Sequence, residues 1–503
     1  MADILLTHSY HLFYDPKQVR KMQPYPPLGT LYAAALLRQH GFSVALFDTM
    51  LEDPVRGFPA ALARHRPQIV AICEDNFNFL SKMCLARMRE VTFGMLDAAR
   101  RTSAIVAVNG SDASDHTEEY LRQGFHFVLH GEAERTLTEL TQTLAGVSQK
   151  TPWSRPFTDA VETIPGLAFW RSETCKVIRT SPRPLIKNLD DLPFPARNLI
   201  DISRYRELWE SAHGFFSLNA VASRGCPFQC NWCAKPIYGS SFHTRSAETV
   251  AEEMRQLKQD FGAHHIWFAD DIFALKPHWS SQLADAVDRR QAALPFKMQS
   301  RVDLMVPENV RALRRAGCNE VWMGVESGSQ RILDAMEKST RLDQIPAARG
   351  NLRNEGIRAC FFLQFGYPGE TWEDIQKTIG LVRDSQPDDI GVSVTYPLPG
   401  TKLYARVSEE LGAKTNWVDS DDLAIMFKGA YTNEFYRALR DALHAEVEMW
   451  RGARTERNTI HRSEDQPFFE KADRVARLWD IVRHMETTCR NDKPTLVARS
   501  AIC

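Results

Sequence analysis

Two stretches of this chain alternate short apolar runs with longer segments of helical period. In the first, residues 4–7, 43–48, 69–74, 104–109 and 127–130 are runs of strand length with little polar alternation. A strand apolar on both faces is covered on both sides, as in a parallel sheet packed between helices. Between the first two runs, Pro26 suits a first helical turn and Gly41 a left-handed stop. This repetition predicts an α/β unit with a doubly wound, Rossmann-like parallel sheet. Such sheets bind ligands beyond the carboxyl ends of their strands, which singles out His8, Asn76, Asn109, Gly110, Gly131 and Glu132. The two glycines would let backbone approach a ligand. No G-x-G-x-x-G follows the first run, which disfavours a nicotinamide dinucleotide. A sheet of this kind can also bind nothing and cap its neighbour.

The second stretch predicts strands at 217–222, 265–269, 296–300, 320–325, 359–365 and 389–395, with a helix over 248–261 that Gly262 stops. Six strands are too few for an eight-unit barrel and predict a partial, open one. Polar groups follow the strands: Asp270 and Asp271, then Ser300 and Arg301, then Glu326, then Gln364. In strand–helix barrels this carboxyl rim carries the chemistry. An acidic pair after a strand is also a common helix cap, and Glu-Ser-Gly is also ordinary loop chemistry. Trp322, Phe361 and Phe362 are read as core. Beyond the barrel, residues 434–451 space Phe435, Leu439, Leu443 and Val447 as an amphipathic helix. A loop is expected at 458–466 and a helix at 471–489. The chain thus divides into a first domain (1–150), a linker (151–210), a barrel (211–410) and a helical segment (411–503).

Length agrees, since 503 residues exceed one ordinary core. Lys and Arg number 62 against 63 Asp and Glu, so no bulk field draws the chain to nucleic acid. No apolar stretch approaches the roughly 18–20 residues of a membrane span. The start of the chain lacks the basic region of a secretory signal. Seven of the ten cysteines are scattered without a disulfide-like framework, so a reducing cytoplasm is expected.

The other three are Cys226, Cys230 and Cys233, in Ser223-Arg-Gly-Cys-Pro-Phe-Gln-Cys-Asn-Trp-Cys-Ala234. Thiolates at C-x3-C-x2-C meet on one object only if the chain loops tightly, and Gly225 and Pro227 supply that bend. Three close thiolates suit an iron–sulfur cluster that keeps one iron free of protein. Zinc is the competing reading, with His243 as a recruited fourth ligand, although zinc sites usually show paired Cys or Cys/His elements. An inert loop is the third.

With Trp232 in the aromatic slot, this motif resembles the signature of the radical S-adenosylmethionine (SAM) enzymes. Tyr25-Pro-Pro-Leu-Gly29, Gly131-Glu-Ala-Glu134, Trp267-Phe-Ala-Asp-Asp271, Gly324-Val-Glu-Ser-Gly328 and Tyr396-Pro-Leu-Pro-Gly-Thr401 are similar to segments of the class with an N-terminal cobalamin-binding domain. The resemblance spans about residues 1–410. It implies that Cys226, Cys230 and Cys233 hold a 4Fe-4S cluster whose open iron takes SAM, and that an electron from it releases a 5′-deoxyadenosyl radical. It implies Arg301 at the methionine carboxylate, Glu326 at the ribose and Asp270 or Asp271 at the ammonium, with Trp232, Ser300 and Gln364 beside them. The first sheet would hold cobalamin, and an electron donor such as flavodoxin or ferredoxin would serve the cluster. The chain has no D-x-H-x-x-G motif, and His8 does not reproduce its surroundings, so no lower cobalt ligand is assigned. The class includes methyltransferases acting on unactivated carbon or phosphorus and the oxygen-independent ring cyclase of chlorophyll biosynthesis. A methyltransferase acting on a small molecule is the leading expectation. A cyclase or rearrangement enzyme, and a non-catalytic corrinoid sensor or carrier, are the alternatives.

Overall fold

The computed structural model describes residues 2–145, 155–171, 174–276, 278–458 and 466–490. Among them the first sheet comprises β1 (Ile4–Thr7), β2 (Val44–Leu46), β3 (Ile69–Cys73), β4 (Ile105–Asn109), β5 (Phe127–Leu129), β6 (Leu167–Arg171) and β7 (Lys176–Arg179). Their order is β2-β1-β3-β4-β5-β6-β7. β1 to β5 are parallel, and β6 and β7 join antiparallel. The apolar runs are two-faced, as expected. Ile4, Leu6, Ala71 and Phe127 pack with Ala33 and Leu37 of the helix Leu28–Gln39. Leu5, Val70, Ile72 and Val106 pack on the other side with Phe58, Leu62 and Leu96. The order reverses between β1 and β3, which puts a ligand crevice at their carboxyl ends.

The stretch 151–210 is more than the linker expected of it. It supplies the hairpin β6–β7, and its helix Ile202–His213 buries Tyr205 and Trp209 in the barrel core. Leu167, Ala168 and Phe169 are buried because β5 and β7 flank them and helices cover them. Their several neighbouring prolines hide this strand from a reading of pattern.

The barrel strands are β8 (Ser217–Ala220), β11 (His265–Phe268), β12 (Phe296–Ser300), β13 (Cys318–Glu326), β14 (Arg358–Phe365) and β15 (Asp389–Val394). They run parallel in the order β15-β14-β13-β12-β11-β8, the open six-stranded barrel that the sequence predicts. Between β8 and β11, the short antiparallel pair β9 (Ser223–Arg224) and β10 (His243–Thr244) brackets the cysteine loop. Ile266, Phe268, Met298, Val321, Met323 and Phe361 form the barrel's outer core. Buried ion pairs fasten the halves: Glu253 accepts from Arg197 at 2.7 Å and also pairs with Arg245.

The helices Asn433–Asn458 and Gln466–Thr488 pack on one another, with Phe435, Leu439, Leu443 and Val447 in the barrel core. Only the two ends of the loop expected at 458–466 fall within the described residues, and both ends are helical. No helix among the described residues is long and apolar enough to cross a membrane.

Candidate active site

The cysteine loop starts at the end of β8 and is fixed from several sides. The Ala222 amide donates to the Asp270 carboxylate at 3.1 Å, and the Ser223 hydroxyl donates to it as well. Gly225 has φ +80°, and a Cβ there would run into the Ser241 carbonyl oxygen. Only glycine makes this turn. Inside the motif, Asn231 donates its backbone amide to Met336 O (3.0 Å) and its side-chain amide to Ala335 O (2.7 Å). Its carbonyl accepts from Leu403 N (3.0 Å), and the Tyr367 hydroxyl lies 3.1 Å from its Oδ1.

Cys226, Cys230 and Cys233 are each part-buried on this loop. Burial, followed by the charges of Asp271, Cys230 and Cys226, pushes the Cys233 thiol up to about 12. Burial also raises Cys226. A cationic group among the thiols would reverse both trends, because the thiolate is the ligating form. Among the described residues no three His, Cys, Asp or Glu side chains already stand together as a metal-holding group, the three thiols included. They share one loop and a mutual field rather than a finished cage. Three sulfur donors fit a cluster with one open iron. His243, weighed as a fourth zinc ligand, sits half-buried in β10 opposite Arg224.

Beside the loop the barrel rim gathers Arg301, Glu326 and a lysine that the sequence did not signal. A bulge between Gly324 and Glu326, and φ +63° at Glu326, re-aim that carboxylate. Lys338 Nζ donates to Glu326 Oε1 at 2.9 Å and lies 5.9 Å from the Trp232 ring centroid. Arg301 donates to the Lys338 carbonyl (3.1 Å) and to Asp303 (2.8 Å), and lies 3.7 Å over the ring of Phe228 in the cysteine motif. Lys338 is flanked by Glu337 (φ +54°) and Ser339 (φ +58°). Non-glycine residues held there cost on the order of 1–3 kcal/mol each, and such strain gathers at functional sites.

Other expected contacts are committed elsewhere. Asp270, expected at an ammonium, is wholly buried and anchors the chain entering the cysteine loop; burial pushes its carboxyl up to about 7. Asp271 pairs with Lys82 of the first half. Ser300 Oγ donates to Phe273 O (2.9 Å), and Gln364 Nε2 to Thr395 Oγ1 (3.0 Å). Trp322 and Phe362, read as core, are only half-buried, whereas Phe361 is fully buried.

At the ligand end of the first sheet, Asn109 donates to Leu129 O (2.9 Å) and Gly131 O (3.1 Å), and its Oδ1 accepts from Asn76 Nδ2 (3.0 Å). Asn76 Oδ1, Ser81 Oγ and Ser111 Oγ are buried without a partner. An unmet buried polar atom costs about 1–3 kcal/mol, so Asn76 Oδ1 and Ser111 Oγ, just beyond the carboxyl ends of the neighbouring strands β3 and β4, suit a ligand bringing its own donors and acceptors. Gly110 is extended, and a Cβ there would meet Glu74 Cγ at 2.6 Å, so this glycine makes room for protein. Gly131 has φ +69°, with a Cβ position 3.7 Å from Ile237 O. Glu132 is committed to Arg224 (2.7 Å) and to the Ile186 amide (2.6 Å) rather than to the crevice. His8 likewise directs Nε2 to the Met50 amide and Asp48 Oδ1, both at 3.3 Å, in the β1–β2 corner.

Arg224, two residues before Cys226, joins the two ends. Its guanidinium bonds Glu132 and Glu134 (2.6 Å) and lies among Tyr32, Phe77 and Tyr238, 5.3–5.5 Å from each ring centroid. Phe77, in the loop after β3, stacks on Tyr238 at 5.6 Å. The cysteine loop and the first sheet's ligand end therefore share a wall.

An open parallel sheet thus abuts the three-cysteine rim of a half-barrel. Residues 221–382 match the family model described as the radical SAM superfamily. The chain is 26% identical over 397 residues to an uncharacterized methyltransferase of Pyrococcus horikoshii, covering 78% of this chain and 81% of that one. It is 22% identical over 398 residues to an anaerobic magnesium-protoporphyrin IX monomethyl ester cyclase of Cereibacter sphaeroides, covering 77% and 61%. In fold it is similar to the cobalamin-dependent S-adenosylmethionine radical enzyme OxsB solved with aqua-cobalamin, with a TM-score of 0.71 and 15% identity over 96% of this chain and 72% of OxsB. Residues 221–382 are thus a radical SAM domain, and the chain is related to proteins named as a methyltransferase and as anaerobic cyclases and shares its fold with a cobalamin-dependent radical enzyme.

Proposed function

We propose that the chain is a cobalamin-dependent radical SAM methyltransferase acting on an unactivated carbon or phosphorus centre of a small molecule. The observation that carries this reading is the pair of unpartnered buried atoms, Asn76 Oδ1 and Ser111 Oγ, beyond the carboxyl ends of β3 and β4 at the sheet end that adjoins the cysteine loop. A corrin ring edged with amides offers the donors and acceptors they lack. The relative named as a methyltransferase, matched over most of both chains, supports the same reading.

In this reading Cys226, Cys230 and Cys233 hold the cluster, and Arg301 with Lys338 meets the methionine carboxylate, for which a planar guanidinium is well shaped. Glu326 accepts from the ribose hydroxyls. Asn76, Ser111 and the backbone at Gly131 hold the corrinoid. When bound, the cluster supplies the electron that splits the sulfonium and the corrinoid carries the methyl group. The chain orients and encloses: Asn231 and Tyr367 fix the cysteine loop, and Lys82–Asp271 holds the first half against the rim. The ring pair Tyr396–Trp417, centroids 4.5 Å apart, closes one side, with Trp417 O accepting from the Ala86 amide.

The test needs no substrate. Anaerobically reconstituted chain should take up corrinoid and, with reductant and SAM, form S-adenosylhomocysteine beside 5′-deoxyadenosine. 5′-Deoxyadenosine alone favours the cyclase or rearrangement reading. Corrinoid uptake with neither product favours the carrier.

A further inference from the structure

One wall of the barrel's hollow is unused by the residues assigned above. Along β13 and β14, Val321, Met323, Val325, Phe361 and Leu363 face the helices and are fully buried. Alternation therefore turns Trp322, Gly324 and Phe362 into the hollow. There Trp322 and Phe362 are half-buried and stack with centroids 4.9 Å apart at 30°. Their rings lie over Gly391 of β15, where a Cβ would meet Phe362 at 3.0 Å and Trp322 at 3.4 Å. Phe362 pairs in register with Gly324 on one side and Gly391 on the other, so it is the one side chain at its level across three strands. A Cβ on Gly324 would meet Lys338 Nζ at 2.6 Å and Glu326 Oε1 at 2.7 Å. The aromatic step thus borders the polar rim directly.

The cations round the hollow are already engaged. Lys338 is paired with Glu326, Arg301 with Asp303, and Arg358 with Glu320 at 2.5 Å. Lys297 donates to Gln23 Oε1 at 3.4 Å and lies over the rings of Tyr25 and Trp267, 5.5 and 5.8 Å from their centroids. Arg301 and Lys338 are the two assigned above to the methionine carboxylate, and Lys297 and Arg358 keep protein partners, so among the described residues no further cation is left open beside Phe362 to a phosphate or carboxylate of the substrate.

We propose that this step is the substrate platform, and that the substrate presents to it a flat, uncharged, unsaturated ring system that stacks on Trp322 and Phe362. The inference rests on the radical reading above and adds the substrate's class. Ring–ring contacts contribute beyond the area they bury, whereas a saturated body of the same size gains the area contribution alone.

The experiment is anaerobic equilibrium dialysis of the reconstituted full chain against 2-naphthol or decahydro-2-naphthol, uncharged probes with one carbon skeleton. The planar probe is expected to bind about tenfold more tightly. Phe362→Leu should erase most of that preference and Phe362→Tyr should keep it. Equal affinity for the two probes, or a preference that survives both Phe362→Leu and Trp322→Leu, overturns the proposal. SAM cleavage in the same preparations separates the failures. Cleavage without probe preference sinks the platform alone, and preference without cleavage sinks the radical reading alone.

Discussion

Replacing Arg224 with methionine tests the wall between the two halves. The guanidinium and the carboxylates of Glu132 and Glu134 are all at least nine-tenths buried, and Arg224 sits 2.7 and 2.6 Å from them. Methionine fills similar space among Tyr32, Phe77 and Tyr238 but leaves two carboxylates without their cation. Glu132 would keep only the Ile186 amide. Its carboxyl already sits above the usual range because burial outweighs the attraction of Arg224. Removing one partner of a buried pair costs about 3–5 kcal/mol, chiefly through the stranded charge. For a cooperative unit of about 200 residues, the size of the barrel, that lowers the unfolding midpoint by about 10 °C. The assay is thermal unfolding followed by intrinsic fluorescence, with urea midpoints as a check. Adding Glu132→Gln and Glu134→Gln to Arg224→Met neutralises what was stranded and should recover more than half the loss. A cost below about 1 kcal/mol for Arg224→Met, or a triple variant no more stable than the single, refutes the reasoning.

Three further outcomes are expected. Cys230→Ala should fold, with unfolding midpoints within a few degrees of the parent protein, yet lose cluster absorbance and SAM cleavage together. Gly225→Ala should cost more than about 1 kcal/mol in urea titration, because alanine is strained at φ +80° and its Cβ meets the Ser241 carbonyl; a neutral result would disprove the turn. Glu370 is buried, accepts from Gly366 N at 2.6 Å, and is pushed by burial from near 4.5 to about 8. Across that window the folded chain keeps a proton that the unfolded chain has lost, so stability falls as pH rises. Glu370→Gln should flatten urea midpoints taken across it, and an unchanged slope contradicts the assignment.

What was legible in the sequence was what one-dimensional pattern encodes. Runs such as 69–74 read as strands because both faces are apolar, and Gly225 read as a bend because no other residue turns there. The protein partners of Asp270 and Glu132 are not legible in the sequence, because Ser223 and Arg224 lie 47 and 92 residues away along the chain. A carboxylate after a strand carries no mark of whether protein or ligand will meet it. Lys338 was silent because its position depends on two left-handed neighbours, Glu337 and Ser339, which composition does not betray. Trp322 and Phe362 were readable in principle. Val321, Met323 and Val325 set the buried phase of β13, and strand alternation puts Trp322 on the opposite face.

The most direct measurement of the central claim is quantification of 5′-deoxyadenosine and methionine after anaerobic, iron- and sulfide-reconstituted protein meets reductant and SAM. The account requires both products in equal amounts from the parent chain and neither from a variant lacking the Cys226, Cys230 and Cys233 thiols. Iron-loaded parent protein that leaves SAM intact, or a thiol-free variant that still cleaves it, contradicts the account.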